Sequence, residues 1–290
     1  MSRTDPVPGN GAPGPVPASS PRSRRAGPVL SAFLVLLLFS YLYPLIYMVA
    51  RSFMRFEPGM ASSGMGFTLE HYRTVFGGAG FMQYVLNSVF VLAVVVGANV
   101  FTSVVTGYAF ARFRFPGRNL LFGLVLVTLM VPKQTLMVPI LDLVVRLGLH
   151  DSLWALILPF CVDSFNVFLL RQYIAALPAD LEDAARADGS GEFGILRHVV
   201  FPLCRPALAV VVINTAIVTW NSFLFPLILT DSAARRTLPV GLAMLTQGPF
   251  STDWGTLMAG SAVSSIPLIL LFWAFQREII DGITAGALRE

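Results

Sequence analysis

The sequence predicts an all-α membrane protein of six transmembrane helices, with a cytosolic two-helix loop between the fourth and the fifth. Three observations predict it. Hydrophobic residues make up 55% of the 290-residue chain and charged residues only 12%, about half the charged share of a soluble domain. The apolar residues gather in runs long enough to cross a bilayer, which takes about 20 residues. One polar, helix-patterned island, residues 177–205, interrupts those runs.

The elements follow in order. Residues 1–28 are rich in Pro, Gly and Ser and close on Arg22, Arg24 and Arg25, the composition of a disordered tail with a basic stop at the membrane. No charge falls between Ala26 and Ala50. That run is too long for the core of a cleaved signal peptide and long enough to span. A first helix is expected at about 29–50, and residues 29–80 comprise it and a polar, glycine-rich outer loop. Residues 81–290 form the core domain, with helices at about 84–109, 119–140, 152–174, 206–229 and 255–276 and a short polar tail. Basic residues set the orientation. With the N-terminus in the cytosol, 13 of the 20 Lys and Arg residues fall inside, among them the turn Arg112, Arg114 and Arg118, and 7 fall outside. Both termini and the island therefore face the cytosol, and the net charge of +4 reflects topology and not nucleic-acid binding.

The island, LPADLEDAARADGSGEFGILRHVVFPLCRP, reads as two short helices with a stop between them. Pro178 suits a first turn, where its missing N–H costs nothing. Asp180, Glu182 and Asp183 place negative charge at the positive end of the helix dipole. Glu182 and Arg186 stand i, i+4, and Leu181, Ala184 and Ala185 form a small apolar stripe. Gly189 fits the left-handed position that ends a helix. Ser190 is then placed to cap a second helix bearing Phe193, Leu196 and Val200 on one side. Pro202 stops that helix and Pro206 opens the next span. On pattern alone the island is either an amphipathic segment lying on the membrane surface or a rigid docking knuckle.

EDAARADG at 182–189, followed by FPLCRPAL at 201–208, resembles the EAA loop of permease subunits of ATP-binding cassette importers. Further segments, among them MVPKQTLMVPI (130–140), FLLRQY (168–173), TWNSFLFPLILT (219–230) and DWGTLMAGS (253–261), are similar in order and spacing to the shorter permease subunit of maltose-type sugar importers, over about residues 80–290. Asp183 stands where that family usually has Glu, Ser190 where Ala is commoner, Lys133 where Pro is frequent and Ser222 where an acid is common.

The resemblance implies a non-catalytic membrane subunit that works by alternating access in the cytoplasmic membrane. Its implied partners are a second, homologous permease, two cytosolic ATPase subunits and an extracytoplasmic solute-binding protein. No cofactor is expected in this chain, since ATP and Mg would sit on the ATPase. It also implies that Glu182, Asp183, Ala184, Ala185, Asp188, Gly189 and Pro202 dock that ATPase, and that the solute is a sugar or oligosaccharide. A polyol or glycerol phosphate, and a secondary transporter acting alone, are the other readings.

The residues exclude much else. A phosphate-binding loop needs a Gly-rich turn ending in Gly-Lys-Ser/Thr, but the only lysine, Lys133, is followed by Gln134. His71, His150 and His198 make no metal-binding spacing, and Cys161 and Cys204 imply no disulfide framework.

Within the spans, Asp163 is the costly residue, at roughly 2.5–3.5 kcal/mol on insertion scales, with Asn166 one turn on. The pair either lines a translocation path and bonds sugar hydroxyls, or serves helix packing, including a pairing towards Arg171. Asn214 and Asn221, seven apart on the fifth helix, form a polar seam. Trp220 either stacks on a sugar ring or anchors the helix at the interface.

Overall fold

The computed structural model describes residues 27–55, 66–78, 80–245 and 253–287. The expected tail, residues 1–28, lies outside these except for its last two positions. Among the described residues the structure is helical, with one isolated bridge between Met54 and Phe67 and no strand. The chain divides into two units, Met1–Ile46 and Tyr47–Glu290. Helix α1 (Pro28–Ser52) arises from the charge-free run and carries Pro44 inside it.

In the second unit, α2 (Glu70–Gly77) occupies part of the expected outer loop. Helix α3 (Phe81–Arg112) has 32 residues, about 48 Å at 1.5 Å per residue. Its length follows from a stretch with no charge until Arg112. Its buried positions, Tyr84, Ser88, Val91, Val95, Asn99, Ser103 and Gly107, recur every three or four residues and make one stripe. At Gly107 a Cβ would stand 2.9 Å from Leu170 Cβ. The bare glycine lets two backbones close to a distance that small residues permit between membrane helices.

Three spans expected as single helices are interrupted. The third consists of α4 (Arg118–Leu129) and, after a 3₁₀ turn at Lys133–Leu136, α5 (Met137–Arg146), bent by 98°. The fourth opens with 3₁₀ turns at Leu153–Leu156 and Leu158–Phe160 before α6 (Ser164–Ala175). The fifth is α10 (Arg205–Trp220) followed by α11 (Leu224–Leu229). A proline, Pro132, Pro159 or Pro226, lies at or near each break, where it removes a backbone donor. Neighbouring side chains recover the freed carbonyls. Asn99 donates to the Phe160 carbonyl at 2.7 Å, Thr102 to that of Cys161 at 3.1 Å, and Asn221 to that of Ile217 at 2.9 Å.

The sixth span, α13 (Trp254–Ala287), runs on through the expected polar tail, and α12 (Leu238–Leu245) fills part of the loop expected before it. Four stretches among the described residues, at 28–52, 81–112, 153–175 and 254–276, are long and apolar enough to cross a membrane, and the number rises to as many as six where each bent pair, α4 with α5 and the segment 192–203 with α10, is counted as one span.

The island forms α7 (Asp180–Ala187), α8 (Glu192–Ile195), a π turn at Leu196–Val200 and α9 (Phe201–Leu203). The last three make one rod, Glu192–Leu203, at 78° to α10. This rod carries Glu192, Arg197 and His198, so it belongs to the elbow and not to the span. Pro202 lies inside the rod and does not stop it; the stop falls at Cys204, and Pro206 opens α10 as the sequence predicts. A core of Val104, Leu170, Ile174, Ile195, Val200 and Val211 joins α3, α6, the elbow and α10.

Candidate functional site

The first arm of the elbow is closed by local backbone bonds. Gly189 takes φ +86°, open to glycine at no steric cost. Its N–H donates to the Arg186 carbonyl at 3.0 Å, and the Ser190 N–H donates to that of Ala185 at 2.9 Å. These are the two bonds of a Schellman stop. Ser190 is thereby spent on closing α7, and Gly191, not Ser190, stands at the cap position of α8. Pro178 lies just ahead of α7, whose own cap position is Ala179. The expected stripe of the second arm is corrected at one position. Val200 is buried and Leu196 packs against the core as expected, but Phe193 is 73% exposed and Ile195 is buried in its place, because the π turn brings positions five apart onto the face that meets the core.

Charge fastens the elbow to the bundle. Glu182, on α7, is buried, and Arg112 Nε donates to its Oε1 at 2.8 Å. Arg112 also donates to the Leu177 carbonyl at 2.9 Å. The Tyr108 hydroxyl donates to Glu192 Oε2 at 2.8 Å. Arg186 joins Asp183 (2.8 Å), Glu192 (3.0 Å) and, more distantly, Glu182 (3.9 Å). Its hydrogen bond, followed by that of Tyr108, holds the Glu192 carboxyl below the usual glutamate range, and the same Arg186–Glu192 bond raises the guanidinium. Of the seven residues expected to dock an ATPase, Asp183, Ala184, Asp188 and Gly189 are exposed and Ala185 is half-buried. Pro202 is exposed on the rod, and Glu182 alone turns inward.

The other candidate is a cavity of about 750 Å³ among the interrupted spans. Asp163, Asn214 and Asn221 line it, with Lys133, Thr128 and Thr219. Asp163 stands at the N-cap of α6, where its Oδ1 accepts from the Phe165 N–H at 3.0 Å and, more weakly, from the Asn166 N–H at 3.4 Å. Its Oδ2 meets Lys133 Nζ at 2.5 Å. Its cationic partner is therefore Lys133 and not Arg171, whose guanidinium lies over the Phe122 ring.

Asn166 and Trp220 are not on the cavity wall. Asn166 is fully buried and donates to Asn99 Oδ1 (3.1 Å) and Thr215 Oγ1 (2.9 Å). Trp220 is 3% exposed; its indole N–H donates to the Ser264 carbonyl at 3.0 Å and its ring packs with Phe81, Tyr84 and Leu238. Sequence reasoning noted Lys133 only as a departure from the family pattern, without pairing it to Asp163, and missed Asn99 and Thr215 here. A lone lysine and an amide inside otherwise apolar runs are signals, since each demands a partner in a bilayer.

The model of the binding-protein-dependent transport system inner membrane component matches residues 99–282, which holds α6, the whole elbow and all of the cavity wall except Val91 and Val95. The chain belongs to this family. It is the membrane permease component of an importer, a role without catalysis of its own. It is 36% identical over 277 residues to an arabinooligosaccharides transport system permease protein of Halalkalibacterium halodurans, covering 92% of this chain and 99% of that one. A protein of the same description from Bacillus subtilis is 35% identical, over 90% and 95% of the two chains. The fold is that of a chain in the crystal structure of a bacterial ABC transporter involved in the import of the acidic polysaccharide alginate, with a TM-score of 0.76, 24% identity, and coverage of 87% of this chain and 95% of that one.

Proposed function

We propose that this chain forms half of the pore of an ATP-driven importer for an uncharged sugar or oligosaccharide. In this reading the elbow lies in the cytosol and docks one of two ATPase subunits. A second, similar permease completes the passage, and a binding protein delivers solute from outside. Nucleotide and Mg act on the ATPase; this chain supplies the mechanical part. Closure of the ATPase pair shifts the elbow as a rigid body and opens the cavity towards the binding protein.

The observation that carries this reading is the elbow itself. A Schellman stop, a buried ion pair and a shared core make it rigid, yet Leu181, Ala184 and Phe193 stand exposed on it. Exposed apolar side chains on a fixed polar frame suit a protein groove, where an aromatic serves as an anchor. The cavity supports the solute class. Among the described residues that line it, the one cation and the one anion neutralise each other across 2.5 Å, and amides and hydroxyls supply the remaining polar wall. Glycerol phosphate would need a cation not already engaged. The permease relatives described as arabinooligosaccharide transporters point the same way.

Cysteine introduced at Ala184 or Phe193 is expected to cross-link to the ATPase in the assembled transporter. Absence of any ATPase cross-link from either position, or labelling of both only from outside the cell, removes this reading. Identification of the solute held by the purified binding protein tests the second part. A neutral pentose or hexose oligomer is expected; a phosphate ester or uronate counts against it.

A further inference from the structure

The elbow adjoins α6 and α10 in sequence, so those helices are the obvious carriers of its motion. Both are interrupted at the cavity: α6 begins only at Ser164, and α10 ends at Trp220. Helix α3 is not interrupted. It runs unbroken from Phe81 to Arg112, and its elbow end and its middle each meet something that moves or must be moved.

At the elbow end, two residues one turn apart hold both arms. Arg112 binds Glu182 of α7 and the Leu177 carbonyl that precedes it, and Tyr108 binds Glu192 of α8. Glu182 is 2% exposed and Arg112 only partly so, so this pair is shielded from water and its loss is not replaced by solvation. At the cavity, 13 residues or about 20 Å further along the helix, the same stripe presents Asn99. Asn99 and Thr102 hold the carbonyls of Phe160 and Cys161, the unwound stretch just ahead of Asp163. Asn99 also accepts from Asn166. Between the two ends, Gly107 lets α3 lie directly on α6, so the helices do not slide independently.

We propose that α3 is the lever that carries the elbow's displacement to the cavity, and that Arg112 and Tyr108 are the positioning residues that fasten the elbow to it. The proposal rests on the docking reading above. It assigns a mechanical function to two side chains that touch neither solute nor ATPase, and it makes the α3 grip on residues 160–161 the output end.

The test uses the complete transporter, with its ATPase and binding protein, in proteoliposomes. Two quantities are read: ATP hydrolysis and solute taken up per ATP. In Arg112→Gln, basal hydrolysis and the Ala184→Cys cross-link to the ATPase are expected to persist, while uptake per ATP falls at least about tenfold, as loss of one partner of a buried pair implies. The exchange Arg112→Glu with Glu182→Arg is expected to recover part of that loss, which ties the effect to this ion pair; lowered uptake per ATP with hydrolysis and cross-link intact is what a merely structural role for Arg112 would not produce. Tyr108→Phe keeps the ring in its core and removes one hydroxyl, so a decrease of about two- to tenfold is expected. Uptake per ATP unchanged in Arg112→Gln, with the cross-link intact, overturns the lever and leaves the docking reading standing. Should Arg112→Gln fail to assemble, Tyr108→Phe decides alone, and full coupling there overturns the proposal. No cross-link in the unmodified transporter overturns the docking reading instead.

Discussion

Asp163 has two separable tasks, and substitution can divide them. One oxygen caps α6 and the other meets Lys133. Asn keeps a good cap and Ala does not, a difference of about 1 kcal/mol. Asp163→Asn is therefore expected to melt near the unmodified protein and Asp163→Ala below it, while both lose the ion pair and transport less; differential scanning and an uptake assay on the same preparations check this. The sequence showed that Asp163 needed a partner but not which one, because Lys133 is 30 residues away and reaches it only through the bend after α4. Glu192 gives a second residue-scale test. Its carboxyl is held below the ordinary glutamate range by Arg186 and Tyr108. A group with a lowered folded-state pKa contributes stability that is complete above the unfolded value and lost as pH falls through the folded one. Elbow amide exchange is thus expected to quicken on acidification below the ordinary glutamate range, and less so in Glu192→Gln.

At the scale of elements, the α3–α6 crossing depends on the absence of one side chain. Gly107→Val puts a branched group where a Cβ alone would stand 2.9 Å from Leu170 Cβ and 3.1 Å from the Arg171 amide. Overpacking of this kind costs about 1–3 kcal/mol. The expected result is a lowered melting temperature and weakened coupling, and Gly107→Ala should show a smaller loss of both. The positions of the spans were legible in the sequence because hydropathy reports where a chain can sit in a bilayer. Their continuity was not, because an apolar run reads the same whether its backbone is wound or open. Pro132 and Pro159 were the local signs, yet proline is tolerated in membrane helices when neighbours recover the freed groups. Here those neighbours, Asn99 and Thr102, lie some 60 residues upstream. The elbow's stop was legible at Gly189 for the opposite reason: a left-handed position is a local demand. Its second arm was misread at Phe193 because a π turn has no comparable local signature.

The whole molecule places a rigid, charge-fastened elbow at one end of α3 and a largely apolar cavity with a few polar groups along its other half, with exposed apolar side chains such as Phe101, Leu120 and Met130 facing outward. The family was legible because the elbow is one contiguous segment. Of the expected path residues, Asp163, Asn214 and Asn221 line the cavity and Asn166 and Trp220 do not, since a wall assembled from several spans has no order along the chain. Its lysine has a practical consequence. Lys133 is the sole lysine in the sequence, so an acylating reagent applied to the protein finds one ε-amine, and that amine sits on the cavity wall against a carboxylate. The nature of the site thus supplies a built-in reporter: modification at Lys133, read by mass spectrometry through the transport cycle, is expected to follow the opening of the wall without any engineered label.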